Sequence, residues 1–417
     1  MTTTGLSYAR TLTLRLGSAM ASEAAGRAER GPPRVAFYRN PRLRAAFYQV
    51  VLLAAVLFFA YEFALNARAN LQAQKIATGF GFLDNTAGFG IGQSLIPYSE
   101  TDTYGRVFFV GLLNTLLVSG IGIVLATILG FLIGIARLSS NWLIARLAGA
   151  YVEIIRNLPL LFQILFWYLA VLGTLPGPRQ SVSLFGGIFL NNRGAFLPRP
   201  LFEPGSEYVL LALLIGLCAF AVIRIWARRR RERTGQPFPV VPTALGLIVG
   251  LPALAAIATG WPIGVDLPQL RGFNFAGGMR VGPEFVALLV GLVTYTAAFI
   301  AEIVRAGIIS VSRGQTEAAY SLGLRPGPTL RLVIIPQALR VIIPPLTSQY
   351  LNLTKNSSLA VAVGYPDLVA VFAGTTLNQT GQAIEIIAVT MAVYLVISLI
   401  TSALMNWYNA RVRLVER

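Results

Sequence analysis

Residues 314–346 read GQTEAAYSLGLRPGPTLRLVIIPQALRVIIPPL, and the chain is organised outward from this stretch. Gln315-Thr316-Glu317-Ala318-Ala319 favours the start of a helix, with Thr316 as its cap. Gly323 is the residue type that ends such a helix. Ala318 and Ala319 are small, so another surface can approach the helix closely. Arg325-Pro326-Gly327-Pro328 forces a turn. A second helix then runs from Thr329 to about Ile335, where it meets Pro336. The segment is amphipathic but too short to be a domain. On these grounds alone it is either a connector that covers helix ends or a docking element.

What flanks it is strongly apolar. A membrane helix needs roughly 20 mostly apolar residues. Eight stretches qualify, at about 47–66, 107–136, 148–173, 207–227, 240–260, 284–306, 338–362 and 384–406. The 417 residues are 55% hydrophobic, with a mean hydropathy of +0.66. Only 12% are charged, about half the share of an ordinary soluble domain. One buried helix in a large soluble protein could explain one such stretch. The polar surface needed to cover eight of them is missing. The chain therefore reads as an all-α integral membrane protein with about eight transmembrane helices.

The charge is +17, from 34 Lys+Arg against 17 Asp+Glu. With the N-terminus placed in the cytoplasm, 24 of the basic residues fall on the inner side and 8 on the outer, with Arg156 and Lys355 inside spans. That bias is the positive-inside signal. The basic excess is mostly topology and needs no nucleic-acid partner. Arg228–Arg231 reads as a stop-transfer anchor, with binding of membrane phospholipid as the lesser alternative. The first apolar run begins near residue 46 and is long enough to remain in the membrane. The expected divisions are a basic cytoplasmic tail at 1–46, an N-terminal transmembrane helix at 47–66 and an outer segment at 67–106. A first membrane block at 107–173, an insertion at 174–283 with two further spans, and a second block at 284–417 complete the chain. The outer segments 67–104, 174–206 and 261–283 are expected to be loops rich in Gly, Pro and Asn.

The chemistry available is restricted. There is no histidine and one cysteine, Cys218, so no His/Cys metal site or internal disulfide can form. The only lysines, Lys75 and Lys355, end no phosphate-binding G-x-x-x-x-G-K-[ST] run.

The 314–336 segment resembles the EAA loop of ABC-transporter permeases. That pattern is EAA, three residues, G, nine residues, I-x-L-P. Here Glu317-Ala318-Ala319, Gly323 and Val333-Ile334-Ile335-Pro336 stand at that spacing, with Val333 and Ile335 replacing the usual Ile and Leu. Gly111-Leu112-Leu113-Asn114-Thr115-Leu116 resembles the opening of the first core span of polar amino-acid permeases. Tyr151-Val152-Glu153-Ile154-Ile155-Arg156-Asn157-Leu158-Pro159 resembles their second-span motif, Ala301-Glu302-Ile303-Val304-Arg305-Ala306-Gly307 their third, and Thr354-Lys355-Asn356-Ser357-Ser358-Leu359 their fourth. Together these cover about half the chain. The extra N-terminal span and the inserted pair resemble the larger permeases of bacterial general L-amino-acid uptake systems. The resemblance implies a type I importer core of five spans in the bacterial inner membrane, and the charge bias places both termini in the cytoplasm. It implies a transport subunit that is no enzyme and binds no cofactor itself, ATP and Mg being held by a separate ABC ATP-binding subunit. It further implies a homologous second permease subunit and a periplasmic amino-acid-binding protein as partners. Gly314, Gln315, Glu317, Ala318, Ala319, Gly323 and Pro336 would form the coupling element that docks on the ATPase.

Polar groups inside spans are costly and mark function or helix pairing. Glu153 with Arg156, and Glu302 with Arg305, are spaced i, i+3 and are expected to form two intrahelical ion pairs that orient helices. In the family that the second-span motif resembles, that motif lies close to the pathway, so the resemblance also makes Arg156 and Asn157 candidate pathway residues. Lys355, Asn356, Ser357 and Ser358 place a charge, an amide and two hydroxyls together. These could bind a zwitterion's ammonium and carboxylate or bond helices together. Relatives that carry cationic amino acids often have Asp at the position of Asn356, so this chain is expected to be broad in specificity. The rival readings are an ion-gradient-driven secondary amino-acid transporter and a non-transporting membrane scaffold. The first would show acidic or His residues at mid-membrane. Here the span acids sit near span ends or beside Arg.

Overall fold

The computed structural model describes residues 41–73 and 78–412. The tail expected at 1–46 lies outside these up to residue 40, as do Lys75, Arg413 and Arg417. The chain falls into two units, Met1–Ala77 and Thr78–Arg417. The described part of the first is one helix, α1 (Pro41–Ala73), whose 27-residue apolar stretch Arg44–Asn70 suits a membrane span.

The second unit contains α2 (Tyr104–Ala136), the bent pair α3 (Trp142–Asn157) and α4 (Leu160–Leu172), α5 (Ser206–Thr234), α6 (Val240–Ala258) and α7 (Pro283–Ile309). The short α8 (Arg313–Ser321), the long α9 (Pro326–Ala362), α10 (369–380) and α11 (Ala383–Val412) follow. Among the described residues seven helices are long and apolar enough to span, or eight with α3–α4 counted as one. The second expected span, 148–173, is therefore not a straight rod. It bends by 109° between Asn157 and Leu160. Pro159 has no N–H to give and restrains its neighbour, so Leu158 is extended at φ −100°, ψ 134°.

The 314–336 reading needs two corrections. Ser312, not Thr316, is the residue that precedes α8, and Thr316 lies within the helix. The second helix does not stop at Pro336, because α9 runs unbroken from Pro326 to Ala362. A π-helical turn at Leu330–Ile334, immediately before Pro336, shifts the hydrogen-bond register where a proline would otherwise interrupt it. Gly323 does end α8. It takes φ +76°, its N–H reaches Tyr320 O, and Leu324 N–H reaches Ala319 O, a Schellman closure.

The outer insertion is not all loop. Strands β1 (Val182–Leu184), β2 (Ile188–Asn191), β3 (Gly194–Leu197) and β8 (Met279–Val281) form an antiparallel sheet in that order. Strands β4 (Arg199–Phe202) and β5 (Ile263–Asp266) pair, as do β6 (Gln269–Arg271) and β7 (Asn274–Ala276). Phe275 packs on Phe189 and Phe196 at 4.6 and 4.9 Å. Strands of three or four residues leave too little alternation to be read from sequence. The pairing of Ala195 with Val281 also joins residues far apart in the chain.

The core is centred on α2 and α7, which run parallel. Gly130 lets them meet: a Cβ there would lie 2.6 Å from Ile300 Cβ. Tyr104 and Pro283 begin these helices at the end that carries the strands. Arg137 and Ser310 close them at the end that carries α8.

Candidate functional site

At the α8 end, Gly314, Gln315, Glu317 and Ala318 are exposed, whereas Ala319 is buried against its own chain. The exposed surface of α8 and its end is thus Glu317-Ala318 with Tyr320 and Leu322 (49% and 82% exposed). Gln337 Nε2 donates to Gln315 Oε1 at 3.2 Å and ties α8 to the start of α9. Pro336 is half-buried.

Just inside this end, one carboxylate serves three arginines. Glu302 pairs with Arg305 at 2.6 Å, with Arg137 from the end of α2, and with Arg156 of α3 at 3.8 Å. The expected Glu302–Arg305 pair is present. The expected Glu153–Arg156 pair is not: Glu153 is exposed and Arg156 turns across the helix interface to Glu302. A shared, partly buried carboxylate is a better partner than a solvated one. Asn157 Nδ2 donates to Glu153 O at 2.7 Å and so caps its own helix end. Arg137, the third member, was not singled out in the sequence because it lies outside any span.

The polar cluster of α9 is divided by helix geometry. Successive residues turn by about 100°, so four neighbours cannot share one face. Asn356 lines a cavity of about 260 Å³ with Gln349, Asn352, Tyr295, Thr296 and Phe299. Lys355 and Ser358 line a separate groove with Thr390, Tyr394 and Ser398 of α11. Ser357 is fully buried and donates to Thr354 O at 2.7 Å.

The cavity around Asn356 is the candidate site. Gln349, Asn352 and Asn356 recur at i, i+3 and i+7 and form one amide stripe. Each amide both donates and accepts. The wall from α7 adds an aromatic ring, a phenol and the buried Thr296 hydroxyl. The Arg156 guanidinium stands 5.1 Å from the centre of the Phe299 ring. Two of the expected pathway residues, Arg156 and Asn356, therefore converge on Phe299, while Asn157, Lys355, Ser357 and Ser358 do not line this cavity. Gln349 and Asn352 were missed in the sequence. Their signal was the same spacing, legible only once the phase of α9 is known.

A family described as "Binding-protein-dependent transport system inner membrane component" matches residues 122–414. The "General L-amino acid transport system permease protein AapQ" of Rhizobium johnstonii is 55% identical over 91% of this chain and 94% of its own length. The "Putative amino-acid ABC transporter permease protein YhdX" of Escherichia coli is 56% identical over 91% and 97%. The "Glutamate/glutamine/aspartate/asparagine transport system permease protein BztB" of Rhodobacter capsulatus is 44% identical over 93% and 99%.

Proposed function

The chain belongs to the family of binding-protein-dependent transport system inner membrane components, and from that premise we propose that it is the permease of an ABC importer carrying L-amino acids of several side-chain classes. It is a multi-pass membrane protein and a transport subunit, not an enzyme; ATP is hydrolysed on a separate subunit.

In the proposed arrangement both termini face the cytoplasm of a bacterial inner membrane. A periplasmic binding protein delivers substrate at the strand-bearing end, and a second, homologous permease completes the path. The observation that carries the mechanism is the continuity of α9. One helical run holds Gln337, which is tied to α8, and Asn356, which lines the amide cavity. When the ATPase subunits close, they displace α8 through Glu317, Ala318, Tyr320 and Leu322. The movement passes along α9 and repositions the amide stripe against Tyr295, Thr296 and Phe299. That is a two-state element biased both by ATP at one end and by substrate near the other.

The cavity wall carries no ionised side chain, and the Arg156 guanidinium stands over its Phe299 ring. An amide-lined wall can turn a donor or an acceptor toward the ligand, so it rejects neither acidic nor amide nor aliphatic side chains by charge. ATP-dependent uptake of labelled Glu, Leu and Arg, measured with the reconstituted complex, tests this. Uptake should fail in Glu317→Lys and shift toward Arg in Asn356→Asp. Uptake without ATP, or indifference to Glu317→Lys, returns the ion-gradient transporter to the front.

A further inference from the structure

A second and larger cavity, of about 630 Å³, lies at the strand-bearing end, away from the amide stripe. Three segments build it: the loop 89–93, the junction of β8 with α7, and residues 361–375 from the end of α9 into α10. Its rim is fixed by hydrogen bonds. Asn114 Nδ2 donates to Gln93 O at 2.9 Å and to Pro366 O at 2.8 Å, and the Tyr98 hydroxyl donates to Phe89 O at 2.7 Å.

Two side chains of opposite charge, Arg280 and Glu284, line this cavity, yet among the described residues neither takes part in an ion pair. Glu284 accepts one hydrogen bond, from the Tyr168 hydroxyl at 3.4 Å. Opposite charges on flexible side chains in a confined space attract strongly unless the backbone holds them apart. Here it does. Arg280 is registered opposite Phe196 in the four-stranded sheet, and Glu284 is placed by the first turn of α7. The remaining wall is unselective, with Gly90, Gly92 and Gly364 leaving backbone exposed beside Phe89 and Val361.

We propose that this cavity receives the zwitterionic head shared by all α-amino acids, the carboxylate on the Arg280 guanidinium and the ammonium on the Glu284 carboxylate, before the substrate reaches the amide cavity. A guanidinium and a carboxylate that line one cavity without pairing match a ligand that carries both charges close together. The glycine-lined remainder tolerates side chains of any size. Selection is thereby divided: the outer cavity reads what all substrates share, and the amide stripe reads what distinguishes them. The inference rests on the amino-acid importer reading.

The test is uptake of labelled Leu, Glu and Arg by the complete reconstituted transporter, titrated with its binding protein. Arg280→Gln and Glu284→Gln are each expected to lower the maximal rate about tenfold, by one common factor for all three substrates. Arg280→Lys, which keeps the charge, should recover a substantial part. Gly282→Ala serves as a second variant that removes no charge. Its new Cβ would stand 2.7 Å from Glu284 Oε2 and push that carboxylate aside, at an ordinary φ of −60°. It should slow all three substrates alike. A wild-type rate in Arg280→Gln overturns the proposal, as does a loss confined to one amino acid. A raised half-saturating concentration of binding protein with an unchanged maximal rate also overturns it and assigns Arg280 to protein docking. Wild-type complex that moves no amino acid under ATP overturns the importer reading itself, a result distinct from uptake that ignores Arg280.

Discussion

Glu302 holds the ends of three helices with a single carboxylate. Its side chain is 25% exposed, and it faces Arg137, Arg156 and Arg305. Removing the one anion leaves three cations crowded together, which is costlier than losing a single surface pair. Glu302→Gln is expected to destabilise the protein by about 1–3 kcal/mol, read as a lower midpoint of thermal unfolding in detergent. Arg305→Lys should cost less, because the charge survives.

Asp367, between α9 and α11, is a second buried carboxylate. Burial pushes its pKa up to about 7, partly offset by hydrogen bonds from the Ala370 N–H at 2.8 Å and the Tyr394 hydroxyl at 3.3 Å. The carboxyl thus holds its proton more tightly folded than unfolded. Its stabilising contribution is complete below the ordinary value of 3.8 and is lost as pH rises through 7. Wild type should unfold at a lower temperature at pH 8 than at pH 5, and Asp367→Asn should flatten that dependence. An unchanged pH profile in the variant would show that other groups carry it. Neither role was legible from local pattern. Asp367 stands in a short connector, and Glu302 was matched to only one of its three partners, because chain proximity says nothing about an arginine 165 residues away.

At the scale of elements, the ends of α8 matter more than its composition. Gly323 can take φ +76° without a Cβ penalty, and the turn it makes sets α8 against the start of α9. Gly323→Ala is expected to cost about 1 kcal/mol locally and to reduce ATP-driven uptake several-fold. Gly327→Ala, with no positive φ and open space around it, should leave uptake near wild type. The sequence already identified Gly323, since a glycine after a helical run has few other uses. It misplaced the cap and the end of the following helix. Thr316 and Pro336 are both of the right type for those roles, and a propensity has no access to the neighbouring register. The π turn at Leu330–Ile334 is such a register shift.

For the whole molecule, the close approach of α2 and α7 lies at the centre of the core. Gly130→Val would drive a branched side chain into Ile300 and the carbonyl of Ala297, which a Cβ would already meet at 2.6 and 3.0 Å. Overpacking of this kind costs about 1–3 kcal/mol, and the expected outcome is a lower yield of monodisperse protein by size-exclusion chromatography. Gly120→Ala, at a site with open space, should have no such effect.

The approximate number of spans, their order, the position of the 314–336 segment between them and the family were determined by the sequence alone. Each depends on hydropathy, charge bias or spacing along the chain, and lipid imposes those one-dimensional constraints on every span separately. The tertiary structure alone decided that α3–α4 bends, that the outer insertion carries sheets, that Arg156 turns to Glu302, and that Asn356 parts from Lys355 to join Gln349 and Asn352. It also brought Arg280 and Glu284 into one enclosure with a loop from the far side of the sequence. These features depend on the phase of a helix about its axis and on which distant segments meet, and neither is written in any local stretch of residues.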